Sequence, residues 1–172
     1  MIIAHQNIHF LRQAMDLVER IGSSYAEPGP YGQASAGAHM RHVLDCYHCF
    51  LRGLGDEYQV NYDARDRDRR IETDGEYASA VILRIVDSLE SLRPEDLEHK
   101  LKVQVDAAAW KQSDELWSDS SVGRELQFLL SHTVHHFALM AMILRALGTD
   151  PGEEFGVAPS TLEHRRTAPA GT

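Results

Sequence analysis

From residue 121 to residue 147 the chain reads SVGRELQFLLSHTVHHFALMAMILRAL, a stretch without proline in which Leu, Phe, Val, Met or Ile falls on nearly every side of a helical wheel. A helix that is apolar all round must be covered all round, so the rest of the chain has to wrap it. With 172 residues, 43% of them hydrophobic, there is material for one domain with a real core. Three further helices are legible. Ile3, Phe10, Ala14, Leu17, Val18 and Ile21 recur at helical spacing and predict a helix over 2–21, ended by GSSYAEPGPYG. Ser35 is placed to cap a second helix that runs to about residue 54, where Gly53 and Gly55 stop it. Ala78, Val81, Ile82, Ile85, Leu89 and Leu92 mark a third over 75–92, ended by Arg93-Pro94.

This pattern predicts an all-α four-helix bundle over 1–148, followed by an extended tail over 149–172 with one turn near Ser160. KLKVQVD alternates like a strand, so a short β-hairpin before the last helix is expected, its second arm near Trp110. VNYDARDRDRRIETD is densely charged and lacks an apolar period, which predicts an ordered surface connection rather than an element. Three helices cover only part of a fourth, so the outer side of the last helix is expected to pack on a second subunit, making a homodimer.

The net charge is −9, from 17 Lys and Arg against 26 Asp and Glu, with no basic tract. That argues against nucleic acid and against an anionic membrane, both of which are bound by clustered Lys and Arg. The opening MIIAHQNIHFLRQAMDLVER lacks a basic start followed by an apolar run, and polar residues interrupt every apolar stretch. Neither a signal peptide nor a membrane span is expected. Cys46 and Cys49 are too few for a disulfide framework, which fits a reducing, cytoplasmic setting.

Ten histidines carry most of the remaining information. At about 100° per residue, His132 and His136 lie only about 40° apart on the last helix, one turn above the other. Leu129, Leu139, Met140 and Ile143 share their stripe, so the pair points inward, and buried imidazoles need partners. Metal ligation supplies them; hydrogen bonds to backbone or carboxylate are the alternative. Glu125 lies two turns earlier on the same line. On the second helix, Met40, Val43, Leu44, Tyr47, Phe50 and Leu51 form an apolar face, while Arg41, Asp45, His48 and Arg52 form a polar one. His42 is on the border, along a line of small residues (Ser35, Ala38, Cys46, Cys49, Gly53) that leaves room for a cavity. Three histidines with an open position describe a catalytic site rather than a closed structural one.

His39, about 60° from His42, is placed to substitute as a ligand or to act behind one, and His135 to lie at the rim. His5 and His9 lie opposite the apolar stripe of their helix and are assigned to solvent, as is His48. The C-x2-C of Cys46 and Cys49 lacks the second pair of a structural zinc site and sits mid-helix, unlike a redox pair, so two small buried residues are expected. Direct ligation by Cys46 is the main rival within the site. A di-iron centre would need Glu-x-x-His pairs, and none occurs; Asp45-Cys-Tyr-His48 is the nearest approach. No P-loop, nucleophile elbow or dinucleotide fingerprint is present.

The setting AGAHMRHVLDCYHCFL, followed late in the chain by GRELQFLLSHTVHHFALMAMIL, resembles the DinB family, the DinB/YfiT-like metalloenzymes, over nearly the whole chain. NYDARDRDRRIETD and FGVAPSTLEHR also look like a bacterial branch of DinB-like proteins. The resemblance implies a four-helix bundle, typically dimeric, that binds one divalent metal, commonly nickel, zinc or iron, through a histidine of the second helix and an H-x3-H of the last. In this chain those positions are His42, His132 and His136. Related members include thiol-dependent transferases and isomerases that use bacillithiol or mycothiol, which implies a small-molecule substrate, with a low-molecular-weight thiol among the candidates.

The expected chemistry is a divalent ion, zinc, nickel or iron, that activates water or a thiol, making the chain a metal-dependent hydrolase or S-transferase. Glu125 is then expected behind the ligands or as general base, Asp45 to orient an imidazole through its other ring nitrogen, and an arginine such as Arg67 to recognise an anionic substrate. The alternative is a non-catalytic metal-binding or stress-response bundle.

Overall fold

The computed structural model describes residues 2–104 and 117–168. The protein is mostly helical, with one small sheet. The four long helices are α1 (Ile2–Ile21), α2 (Ala36–Gly55), α4 (Gly75–Glu90) and α5 (Val122–Ala146); α3 (Arg69–Thr73) is a single short helix and α6 (Pro159–Thr167) lies near the end. Ser35 caps α2 by accepting from the N–H of Ala38 at 3.0 Å, Asp74 caps α4 through Tyr77 at 3.0 Å, and Ser121 caps α5 through Arg124 at 3.3 Å.

The long helices pack side by side, α1 on α4 and α5, α2 on α5 and α4. Leu11, Ala14 and Leu17 of α1, Met40, Leu44 and Phe50 of α2, Ile82, Ile85 and Leu89 of α4, and Leu126, Leu129 and Met140 of α5 form the shared core. One polar knot crosses it. Asn7 donates to the carbonyls of Ile3 at 2.8 Å and Leu126 at 3.0 Å. The Tyr47 hydroxyl donates to Asn7 Oδ1 at 2.6 Å and lies 3.2 Å from Thr133 Oγ1. These bonds fix the register of α2 against α5 one residue from His132.

The sheet has one strand more than the expected hairpin. β1 (Gln59–Asn61) runs parallel to β2 (Lys100–Gln104), with Val60 opposite Val103, and β2 runs antiparallel to β3 (Ser118–Ser121), with Leu101 opposite Ser120. The strand expected at KLKVQ is present, and its antiparallel partner β3 leads straight into α5. The arm expected near Trp110 lies outside the described residues.

The charged stretch after α2 was expected to be a plain surface connection; it holds β1 and α3 and contributes buried Val60, Tyr62 and Ile71 to the core. It lies against the polar face of α2, where Arg41 pairs with Glu72 at 3.0 Å and Arg52 with Asp66 at 3.1 Å. The line of small residues on α2 therefore does not border a cavity along its length. A Cβ on Gly53 would lie 2.6 Å from the carbonyl oxygen of Gln59, and Cys49 donates to the carbonyl of Ala64 at 3.6 Å.

The tail is not extended throughout, since α6 covers nine of its residues. Before α6, Phe155 is buried and stacks on Phe137 at 4.7 Å, and Gly156, at φ +75°, lies so close to the backbone of Phe137 and Ala138 that no side chain would fit. Part of the outer side of α5 is thus covered by the chain itself, while Met142 is left 66% exposed. By length and composition α5 is long and apolar enough to cross a membrane; here it packs on α1 and α2 and buries Glu125 and Thr133.

Candidate metal centre

α2 and α5 lie face to face, and their histidines meet across the seam. His42 Nε2 is 3.1 Å from His132 Nε2, and His136 Nε2 is 3.1 Å from the same atom. All three rings are half-buried, with centroids 4.5 to 4.9 Å apart. On the far side of His136, its Nδ1 meets Nδ1 of His39 at 3.0 Å. Phe128 stacks on His132 at 5.6 Å and forms an apolar wall, itself packed on Tyr62 at 5.2 Å.

Burial holds these rings neutral. It is the main cause that lowers His42 to about 4, with the nearby His132 and Arg65 pushing the same way. It also lowers His136 to about 3, assisted by His132 and His42. His132 and His39 are lowered too, again chiefly by burial. At neutral pH each ring therefore keeps one nitrogen lone pair.

The spacing suits an ion. Two nitrogens bound to zinc at about 2.0–2.1 Å are separated by about 3.0 Å at a right angle and about 3.4 Å at the tetrahedral angle, and the observed contacts fall between. Ligand atoms of His42, Cys46 and His132 all lie within 4.8 Å of one another, a grouping that could hold a metal ion and that leaves His136 outside it. The Cys46 thiol is buried and pushed up to about 12, mainly by desolvation. As expected, Cys46 and Cys49 are both buried and free.

Neither carboxylate expected to serve these histidines is hydrogen-bonded to one of them. Asp45 has a side chain only 1% exposed, and its nearest cation is Arg41 at 3.7 Å. Neither of its oxygens makes a well-aligned hydrogen bond among the described residues, although the backbone N–H of Arg67 approaches it. Burial raises its pKa, with Arg41 opposing. The other ring nitrogen of His42, assigned to Asp45 from the sequence, instead faces Arg65 Nη1 at 2.6 Å. Glu125 is buried, with its oxygens accepting from Tyr62 at 2.8 Å and Ser120 at 2.5 Å, and through Tyr62 and Phe128 it stands behind His132. Burial and Glu125 together push the Tyr62 hydroxyl well above the usual phenol range.

Arg67, expected to meet an anion, is exposed, and its Nη1 donates to the carbonyl of Arg65 at 3.3 Å. The arginine at the site is Arg65, two residues earlier. His135 is exposed at the rim, its ring edge-on to His136 at 5.2 Å. His5 and His9 are exposed as expected, whereas His48 is half-buried and lowered by that burial. Arg65 and Tyr62 escaped the sequence reading because they lie in the charged stretch; the one signal there is an isolated aromatic amid acidic and basic neighbours.

Comparison with known proteins adds one partial likeness. A 105-residue stretch, 61% of this chain, is 35% identical to a protein of Rhizopus delemar (strain RA 99-880) named FK506-binding protein 5. The match covers 27% of that relative, so the chain spans about a quarter of its length, and the name belongs to that protein as a whole. No family's sequence model matches this chain, and no solved structure matches it.

Proposed function

We propose that this chain is a DinB-like four-helix metalloprotein in which His42, His132 and His136 hold one divalent ion, zinc, nickel or iron, and that it acts as a metal-dependent enzyme on a small molecule. The observation that carries the reading is the meeting of three neutral imidazoles at one nitrogen, the Nε2 of His42 and of His136 each lying 3.1 Å from that of His132. A hydrogen bond between two rings satisfies one lone pair with one proton; a third ring at the same nitrogen has nothing further to share unless a cation sits between them. Bound there, the ion would supply Lewis acidity, lowering the pKa of a water or thiol at its open position.

The chain's own residues set the rest. His39 holds His136 by its other nitrogen and so fixes which atom points at the ion. Phe128 keeps one side of the site apolar, which strengthens every charge interaction within it. Glu125, bonded to Tyr62 and Ser120, is set to orient that wall rather than to take a proton directly. Hydrolysis and thiol transfer both suit such a centre. We place the protein in the cytoplasm as a homodimer, a second copy meeting the uncovered side of α5 around Met142.

A second ligand set, with Cys46 replacing His136, is favoured by the close grouping of His42, Cys46 and His132. Its cost is the loss of a proton from a thiol that burial holds near 12. The test is elemental analysis of protein purified without an affinity tag. About one equivalent of metal in the wild type, lost in His132→Ala and His136→Ala but kept in Cys46→Ala, supports the three-histidine reading. No metal in the wild type after reconstitution with zinc, nickel and iron would sink it.

A further inference from the structure

His42 faces two demands that conflict. A guanidinium stays charged and only donates, so Nδ1 of His42, 2.6 Å from Arg65 Nη1, has to be an acceptor. The proton of the neutral ring then sits on Nε2 and points at His132 Nε2, 3.1 Å away. Ligation through Nε2 requires the other tautomer, with Nδ1 protonated and facing a second donor. A cation on His42 Nε2 and this Arg65 contact therefore exclude each other, and loading the site drives Arg65 off the ring.

Once displaced, Arg65 has one carboxylate near it, the buried Asp45. Its Nε is already buried without a hydrogen-bond partner among the described residues. The neighbouring Arg41 is occupied by Glu72 at 3.0 Å and Asp45 at 3.7 Å. Three neutral imidazoles bring no negative charge, so a divalent ion and the Arg65 guanidinium together leave a half-buried, strongly positive pocket that Asp45 alone offsets. Charge of this kind, removed from bulk water, calls for an anion.

We propose that Arg65 is the substrate-recognition residue of this site and that, once freed from the His42 ring, its guanidinium selects an anionic ligand, a carboxylate, bound at the ion. The proposal rests on the metal reading above. It assigns to the charged stretch after α2 the task of delivering one arginine one imidazole ring away from the ion.

The test uses the full chain loaded with cobalt(II), whose visible spectrum reports ligands added at the metal. Wild type, Arg65→Met and Arg65→Lys are titrated with acetate as the anionic probe and with pyridine as a neutral one. Arg65→Met is expected to take up cobalt at least as tightly as wild type, because the competing donor at His42 is gone. Its acetate affinity is expected to fall by about tenfold or more, the range of one charge-assisted hydrogen bond, with Arg65→Lys recovering part of the loss. Pyridine affinity should be the same in all three. Equal acetate binding by wild type and Arg65→Met would overturn the proposal and point to Asp45 as the group that receives the freed guanidinium. Equal weakening of acetate and pyridine would overturn it too, by showing a structural effect. Failure of all three proteins to take up cobalt, seen before any probe is added, would instead overturn the metal reading and this proposal with it.

Discussion

Gly37, in the first turn of α2, tests how the charged stretch is held. A Cβ placed there would lie 2.0 Å from the carbonyl oxygen of Glu72 and 2.9 Å from both Glu72 C and Tyr25 Cε1. Carbon and oxygen normally approach to about 3.3 Å, so Gly37→Ala obliges α2 and the end of α3 to separate by about an ångström. The obstacle is backbone, which does not rotate aside. Two contacts depend on the closeness: the Tyr25 hydroxyl donates to the Ile71 carbonyl at 2.5 Å, and Arg41 pairs with Glu72 at 3.0 Å. Stranding the buried Tyr25 hydroxyl costs about 1–3 kcal/mol and overpacking about as much again, while the better helix propensity of alanine returns at most about 1 kcal/mol. The expected net loss is about 3 kcal/mol, read from urea unfolding as a lower midpoint with unchanged slope. A loss below about 1 kcal/mol would refute the packing argument and mean that α3 moves freely on α2.

Acid should destabilise the fold in a defined window. His42 and His136 sit near 4 and 3 when folded, against 6.5 unfolded, so below pH 6.5 the unfolded chain binds protons that the folded chain refuses. Stability is thus fully present above about pH 6.5 and falls as pH drops toward 4. Each histidine contributes at most about 1.4 kcal/mol per pH unit, and since both are half-exposed about half of that is realistic, or about 1.4 kcal/mol per unit for the pair. Urea unfolding at pH 7, 6 and 5 with chelator present should show this slope, flattened in the double variant His42→Gln/His136→Gln; an unchanged slope in the variant contradicts the assignment. Tyr47→Phe removes the hydroxyl that serves Asn7 at 2.6 Å and should cost about 1–3 kcal/mol in the same assay. A cost near zero would mean that the Asn7 knot satisfies itself without α2.

The four long helices were legible because each repeats a physical signal over many turns, and so was the Ser35 cap of α2. Ser35 precedes an apolar period, and the stripe of α4 returns every three or four residues. His132 and His136 were legible for the same reason, since helical geometry alone places them together. β1 and α3 were not, because they bury only Val60 and Ile71, isolated apolar residues in a charged background, and their place depends on the polar face of α2 rather than on their own pattern. On that polar face His48 was read as solvated. The face is covered instead, which is why Asp45 is buried and why Arg65, not Asp45 or Arg67, reaches His42. Glu125 was placed on the histidine line correctly, but its partners Tyr62 and Ser120 come from segments whose positions only the tertiary fold sets.

The central claim is that three imidazole nitrogens form the ligand set. X-ray absorption at the metal edge of the zinc-loaded protein, with no added thiol, tests it most directly. Three imidazole ligands predict nitrogen scatterers at about 2.0–2.1 Å with the outer-shell pattern of imidazole rings and no sulfur. A sulfur scatterer at about 2.3 Å would contradict it, placing Cys46 in the ligand set that is assigned here to His42, His132 and His136.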